Sequence, residues 1–372
     1  MKLTIERAAL LKSLAHVQSV VERRNTIPVL SNVKLEGRDG ALSLNATDMD
    51  LDIVETVTAD VSRAGATTAP AHTLYEIVRK LPDGSQVELD YSSGDGQLTL
   101  RSGRSKFALA CLPVEDFPVL SGGELPNTFN LSADNLRSLI DRTRFAISTE
   151  ETRYYLNGIY LHAASSQSVP VLRAVATDGH RLARVEVPLP EGALGMPGVI
   201  LPRKAVAELR KLLDETAMEV TLSLSDTKVR FAFDNAVLTS KLIDGTFPDY
   251  ERVIPADNDK VLEVDVKLFA QAVDRVSAIS TEKSRAIKLA VEKGQLTLSA
   301  SSPENGSAIE EVEANYDSGP MEIGFNSRYL LDIMAQIEGE AVCFAMADAA
   351  SPTVVREVAD AGAVFVLMPM RV

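Results

Sequence analysis

The chain is poor in the residues on which most chemistry relies. It has four histidines and two cysteines in 372 residues. His16, His72, His162 and His180 show no ligand spacing to one another or to a cysteine, so the usual sequence signs of a metal site are missing. Cys111 and Cys343 sit in apolar surroundings, LACLP and AVCFAM, and read as buried reduced thiols, not as a disulfide framework. No G-x-S-x-G elbow, Walker loop or Gly-rich dinucleotide fingerprint occurs, and no cofactor is implied. No apolar run approaches the roughly 20 residues that cross a bilayer. The opening MKLTIERAALLKSL lacks the charged, then apolar, then small order of a signal peptide. The expectation is a cytoplasmic protein without a membrane partner.

A basic surplus is missing too. The net charge of −14 argues on its face against a polyphosphate partner. The distribution is uneven, however. Residues 46–60 hold Asp48, Asp50, Asp52, Glu55 and Asp60 with no Lys or Arg, whereas 7–24 hold Arg7, Lys12, Arg23 and Arg24 against Glu22 alone. A body can be acidic outside and basic on one inner surface. Net charge does not exclude DNA.

What is present is a threefold repetition. A chain of this length calls for two or three domains, and a helical stripe opens each third. The apolar positions are Leu10, Leu14, Val17 and Val21 in 7–21, then Leu136, Leu139, Ile140 and Ile147 in 133–148 after Ser132. In 266–280 they are Phe269, Val273, Val276 and Ile279, after Asp265. Second stripes follow at Leu74, Ile77, Val78 and Leu81; at Val206, Leu209 and Leu213; and at Leu330, Ile333, Met334 and Ile337. Between them run short alternating segments such as QVELDY, QLTLRS, KVRFAF and QLTLSA, which read as half-buried antiparallel strands. NATDMDL (45–51) parallels VATDGHRL (175–182), and LPVEDFPVL (112–120) parallels LIDGTFPDYERV (242–253). With linkers at 121–128 and 254–260, the division is 1–126, 127–256 and 257–372. Each part is an α+β domain of two helices packed on antiparallel sheets.

The one constellation that tempts a catalytic reading is Asp178-Gly179-His180. Its Asp is echoed by Asp48, where no His follows, so a turn in which the carboxylate accepts nearby amides explains it better. Cations recur on corresponding helices: Lys12, His16, Ser19 and Arg23 on the first, Arg137, Asp141, Arg144 and Ser148 on the third. Arg203, Lys204, Arg210 and Lys211 stand against Glu208 on the fourth. A charged outer face is the default for one helix; recurrence suggests a common axis and loose, base-independent phosphate contact. RSGRSK (101–106) carries three cations on a candidate edge strand, and Glu304, Glu310, Glu311 and Glu313 lie on another.

Four separated pieces, RYYLNG (153–158), VATDGHRLA (175–183), FPDYERV (247–253) and LMPMRV (367–372), mix apolar residues with a few polar groups, as a groove for a short peptide does. In this order they resemble the β subunits of bacterial DNA polymerase III, the sliding clamps, and the resemblance runs from Met1 to Val372. It implies three repeated clamp domains, a head-to-tail homodimer closed into a six-domain ring, and no active site. The implied partners are encircled double-stranded DNA, the polymerase III α subunit, an ATP-driven clamp loader, and other DNA polymerases, ligase and mismatch-repair proteins that bring short linear motifs. The groove would fall between the second and third domains, two per dimer.

Carried over by motif, the groove takes Arg153, Tyr155 and Leu156; Thr177, Gly179, His180, Arg181 and Leu182; and Pro248, Arg252 and Val253. The tail adds Val366, Leu367, Met368, Pro369, Met370 and Arg371, with Asn326 and Tyr329 on the wall. Leu, Val and Met would form a deformable pocket for leucine and phenylalanine anchors, with Arg153, Arg252 and His180 at the rim. For DNA, Arg24 matches a contacting loop, Lys283 and Arg285 sit in a comparable one, and Lys12, Arg137, Arg203, Lys204 and Arg210 supply helix cations. Glu150 and Glu151 stand where the family's best-known member has Gln, and that loop is left out. The dimer contact would join Arg101, Arg104 and Lys106 to Glu304, Glu310 and Glu311, with Phe107, Ala278 and Ile279 as its apolar centre, although core burial suits Ile279 equally. Two other classes stay open. A hydrolase built on Asp178 and His180 would lose activity on His180→Ala, and a scaffold would bind the same peptides without preferring closed DNA.

Overall fold

Two helices mark each third of the chain. They are α1 (Arg7–Val20) and α2 (Ala71–Lys80), then α3 (Ala133–Asp141) and α4 (Arg203–Leu213), then α5 (Val266–Ser277) and α6 (Ser327–Met334). The computed structural model describes residues 1–92, 94, 96–120, 123–214, 218–280 and 285–372. The predicted stripes are the buried faces: Leu10, Leu14 and Val17 on α1, Phe269, Val273 and Val276 on α5, Leu330, Ile333 and Met334 on α6. Asp265 caps α5 by accepting from the Leu268 amide at 2.8 Å.

The helix expected over 133–148 is shorter than its pattern. α3 stops at Asp141, and the chain continues as a 3₁₀ turn, Arg144–Ala146. Thr143 is fully buried, and its hydroxyl donates to the Leu139 carbonyl at 2.5 Å, while its amide reaches only three residues back to Ile140. Such back-bonding competes with the helical ladder. Ile147 stays buried, so the apolar period was right and the backbone was not helical.

Among the described residues all strand pairs are antiparallel, in four sheets of five, eight, nine and four strands. The pairing groups the chain into two compact units, which differ from the three sequence repeats. One comprises 1–134, 190–197 and 204–242; the other comprises 135–189, 198–203 and 243–372. The middle repeat is divided between them. In the first unit its strand Ala236–Lys241 pairs with Leu51–Thr58 and so extends the first repeat's sheet to eight strands. In the second unit its strand Arg181–Pro188 pairs with Ala363–Leu367 and completes the nine-stranded sheet. Ladder hydrogen bonds therefore cross the repeat boundaries, which no local pattern announces.

The repeated Asp does what the turn reading requires. Asp48 Oδ1 accepts from the amides of Asp50 and Leu51 at 2.9 and 2.7 Å; Asp178 Oδ1 accepts from His180 and Arg181 at 2.9 and 3.0 Å. Thr47 and Thr177 each donate to the carbonyl four residues on, at 2.9 and 2.8 Å. The third repeat has the same device, unseen in the sequence: Asp348 Oδ1 accepts from Ala350 and Ser351, both at 2.8 Å. Its neighbours, Ala347 and Ala349, hide the kinship.

Asp52, on the Leu51–Thr58 strand, is an acid placed against its own ionisation. Burial pushes its pKa up from 3.8 to about 6, Asn45 opposes this by donating to both oxygens at 3.2 Å, and Asp48 adds to the rise. A raised folded pKa favours the folded state below the ordinary value, and the benefit is lost as pH rises through about 6. Asp52→Asn is expected to stabilise the protein at pH 7.5 by about 1–3 kcal/mol, with no gain below about pH 4. Denaturant titrations at the two pH values check this, and an equal gain at both would refute it.

Candidate functional site

The carboxyl end of the chain is tied to two places in the second unit. Beyond the strand Ala363–Leu367, the Met368 amide donates to the His180 carbonyl at 2.9 Å. The Met370 amide donates to the Gly324 carbonyl at 2.8 Å and forms an isolated bridge to the strand Met321–Asn326. The tail therefore runs from the 178–181 turn to a strand of the last repeat. Gly324 permits this, because a Cβ there would stand 2.6 Å from the Met370 carbonyl oxygen.

Beside this strap lie the other predicted groove residues. Leu156, Leu182 and Val366 share one buried cluster with Val175, Ile200, Phe247 and Tyr250, against which Tyr155 packs. Leu182 and Val366 are each only 3 % exposed, and Leu367 is buried as well, so these residues make the floor. His180, Pro248, Arg252, Val253 and Met368 are exposed, and Met370, Pro369 and Tyr329 half-buried, at the walls. The His180 ring stacks toward Tyr329 with centroids 6.4 Å apart.

Two of the expected groove residues are held by internal partners. Arg181 is one of them. Its side chain, 9 % exposed, donates to Asp178 at 3.0 Å, to Asp332 at 2.5 Å and to the Phe145 carbonyl at 2.6 Å, and lies 4.3 Å over the Tyr329 ring. It positions the turn and satisfies the Phe145 carbonyl. Asn326 is likewise engaged, its side chain accepting from the Arg328 amide at 3.0 Å to cap α6. The acid-base reading of Asp178 and His180 loses its geometry as well. The carboxylate holds backbone amides and Arg181, and His180 meets it only through its own amide.

Gly179 is favoured by its backbone, and a side chain there would also displace its neighbour. Its φ is +88°, where a side chain is strained, although Met49 bears that strain at +78° in the matching turn of the first repeat. A Cβ at Gly179 would lie 2.8 Å from Arg153 Nη1. Arg153 reaches that place from the 3₁₀ turn Glu151–Leu156 and is paired with Glu150 at 3.3 Å. Gly179→Ala is expected to shift Arg153 and weaken peptide binding about fivefold, at a stability cost of about 1 kcal/mol. Peptide anisotropy and thermal denaturation, run together, separate the two effects. Unchanged affinity would remove Arg153 from the rim.

Sequence reading missed three parts of this site. Tyr154, 54 % exposed and edge-on to Tyr155 at 5.8 Å, was legible inside RYYLNG. Phe145 and Asp332, the anchors of Arg181, gave no signal. Nor did a buried network under the 250–253 turn. There Arg173 donates to Tyr250 at 2.7 Å, Glu186 at 2.7 Å and Glu251 at 2.6 Å, and Tyr250 also meets His162 Nε2 at 2.9 Å. Burial holds the His162 imidazole below its usual range, which suits a neutral ring whose Nδ1 donates to the Ala163 carbonyl at 3.0 Å.

The predicted DNA cations are less available than their sequence suggests. In the first unit Lys204 is paired with Asp48 at 2.5 Å and Glu22 at 3.2 Å, Arg210 with Asp214, and Lys211 with Glu208 at 2.8 Å. The basic face of α4 is thereby largely neutralised from within. On α1, His16 and Ser19 are not an outer face: His16 holds the buried Glu55 at 2.8 Å, and Ser19 donates to Glu208. Lys12 and Arg24 are exposed, Arg24 in the loop after α1. In the second unit Arg203 is exposed, while Arg137 and Arg285 are half-buried. Lys283 lies outside the described residues.

Two free sheet edges carry the remaining prediction. Ser105–Ala110 is an edge of the five-stranded sheet, with exposed Lys106 and half-buried Phe107, and Arg104 is in the preceding turn. Arg101 is not on this edge; it sits on the inner strand Gln97–Ser102, paired with Glu88 at 3.2 Å. Gly306–Glu313 is an edge of the four-stranded sheet, with exposed Glu311. Glu304 falls in the turn before it, and Glu310 is already held by Arg275 at 2.5 Å. Ala278 is exposed and Ile279 half-buried at the end of α5. Ile309, 72 % exposed in the middle of the acidic edge, is the apolar residue that the sequence reading passed over.

Repeated two-helix domains, sheet edges of opposite charge, and a strapped apolar cleft with no metal-ligand cluster among the described residues describe a clamp of the kind that slides on DNA. Three domain models match the chain: the N-terminal domain of the DNA polymerase III beta subunit over residues 1–121, the central domain over 130–249 and the C-terminal domain over 251–371. The beta sliding clamp of Caulobacter vibrioides (strain NA1000) is 58% identical over 372 residues, with both chains fully covered, and that of Escherichia coli (strain K12) 38% identical over the same span. A crystal structure of a Bartonella birtlesii sliding clamp bound to griselimycin matches with a TM-score of 0.97 at 52% identity, covering both chains completely. The chain belongs to the DNA polymerase III beta subunit family, the bacterial beta sliding clamps. It is a non-catalytic processivity factor that holds a DNA polymerase on its template.

Proposed function

We propose that two copies of this chain close head to tail, the basic Ser105–Ala110 edge of each against the acidic Gly306–Glu313 edge of the other. The ring so formed encircles double-stranded DNA without reading its sequence. The opposite charge of two free edges carries this reading, since an exposed edge strand must be covered or paired. Arg24, Lys12 and Arg203 meet phosphates in it. Lys204 and Arg210 do so only by giving up internal partners, and for Lys204 that partner is the largely buried Asp48. The cleft of residues 153–156, 177–182, 248–253 and 366–371 receives leucine- and phenylalanine-bearing segments of the polymerase α subunit, the clamp loader, other polymerases, ligase and mismatch-repair proteins. The three domains divide at 1–126, 127–256 and 257–372, and the protein works in the cytoplasm at the nucleoid. Among the described residues no helix is long and apolar enough to cross a membrane.

Retention on DNA tests the ring. The protein is loaded on a nicked circular plasmid with a clamp loader and ATP, isolated, and the plasmid is then linearised. Release on cutting, with retention on the intact circle, is the expected result. Equal retention on both would mean surface binding, and the ring would be abandoned.

A further inference from the structure

The face of the nine-stranded sheet that supplies the groove floor continues beyond it. Leu182 pairs with Val366, and Val366 with Val354, in one cross-strand row. Two residues along, on the same face, come Arg184, its partner Val364, and Arg356. A step of two residues is about 7 Å, so these guanidinium groups lie one rung past the floor. There the surface opens into a cavity of about 800 Å³, whose lining includes Arg184, Val364, Arg356, Val171 and the exposed Val169 and Val358.

The acids of this cavity are engaged elsewhere. Glu186 accepts from Arg173 at 2.7 Å, Asp360 from Arg142 at 2.7 Å and the Gly362 amide at 2.7 Å, and Glu357 from the Glu338 amide at 3.2 Å. Arg184 is ion-paired through its Nε with Glu186 at 3.4 Å, shares that acid with Arg173, and its buried Nε has no hydrogen bond. Arg356 is exposed and has no hydrogen bond or ion pair among the described residues. Burial and the nearby cations Arg173 and Arg356 hold the Arg184 guanidinium below the ordinary arginine range, although Glu186 opposes this. Arg356, without an acid, and Arg184, which must share Glu186 with Arg173, set in a partly apolar cavity next to a peptide cleft, make a receptor for carboxylate.

We propose that Arg184 and Arg356 form a subsite for an acidic residue flanking the hydrophobic anchors of a peptide seated in the cleft. This rests on the cleft being the peptide site, and it adds a charge preference that the cleft itself lacks. Weak partners would thus be graded by the acidity of the sequence beside their anchors.

The test uses the full-length protein and fluorescein-labelled peptides with leucine and phenylalanine anchors. One is plain, two carry Asp-Glu at one end or the other, and two carry Asn-Gln as neutral controls. An acidic extension at one end should tighten binding roughly fivefold over its neutral control, and less at high salt. Arg356→Gln, on an exposed residue, should remove the gain and leave the plain peptide unaffected; Arg184→Gln should do the same. If acidic and neutral extensions bind alike, the subsite is wrong and the cleft stands. If the gain survives both substitutions, cations elsewhere on the rim carry it, and the proposal falls. If no peptide binds at all, the cleft reading has failed, and the subsite goes with it.

Discussion

Deleting residues 368–372 should abolish peptide binding and leave the dimer intact. The cut falls after Leu367, so both ladders of the Ala363–Leu367 strand, to Arg181–Pro188 and to Thr353–Glu357, remain complete. What is lost is the pair of amide bonds to His180 and Gly324, together with the exposed or half-buried side chains of Met368, Pro369 and Met370. Two net backbone hydrogen bonds amount to about 1–3 kcal/mol, which a domain of this size survives. The cleft loses one wall. Peptide anisotropy should report affinity weakened by at least a hundredfold, while sedimentation equilibrium reports an unchanged dimer. Dimer loss would mean that the tail is structural. Gly324→Ala gives a gentler version, since its Cβ would displace the Met370 carbonyl without shortening the chain. It should weaken the peptide in the same direction by a smaller factor.

Ile309→Asp should turn the dimer into a monomer and end retention on circular DNA. Ile309 is 72 % exposed on an edge strand, so its replacement leaves the folded core alone. Burying an Ile side chain is worth about 2 kcal/mol, and a head-to-tail ring has two such contacts. The dimer should weaken by roughly three orders of magnitude before the cost of a buried Asp is counted. Sedimentation equilibrium across micromolar concentrations measures this, and thermal denaturation of the monomer should show little change. Charge gives an independent check. Lys106→Glu should weaken the dimer, and mixing it with Glu311→Lys should restore opposite charges at both contacts of the mixed dimer, one exchanged and one native. Glu310 is the wrong residue for that exchange, because Arg275 already occupies it. A dimer unaffected by Ile309→Asp would place the interface on another surface.

The site was legible wherever its residues act through local geometry. The Asp at 48 and 178 could be read as a turn because its carboxylate reaches amides only two and three residues away. The two edge strands could be read because their charge and alternation are written along single short segments. Pairings over long separations were not legible. Lys204 meets Asp48 across more than 150 residues of chain, and Arg181 meets Asp332 across a similar distance. Both appear in the sequence as free cations, and both are tied in the fold. Arg101 and Glu304 were misplaced for a smaller reason: a hairpin turn moves a charge to the neighbouring strand or off the strand within two residues.

By itself, the sequence determined the three repeats, the helix stripes, the turns and the four pieces of the cleft, since period and turn chemistry act over a few residues. Only the tertiary structure decided which strands of the middle repeat join which sheet, and therefore that 135–189 folds with the last repeat and not the first. It also decided which charges are already neutralised and which, like Arg356, stay open on the same sheet face as the cleft. Hydrogen-bonded pairing across repeats and the matching of distant charges depend on where strands meet, and no stretch of sequence carries that information alone.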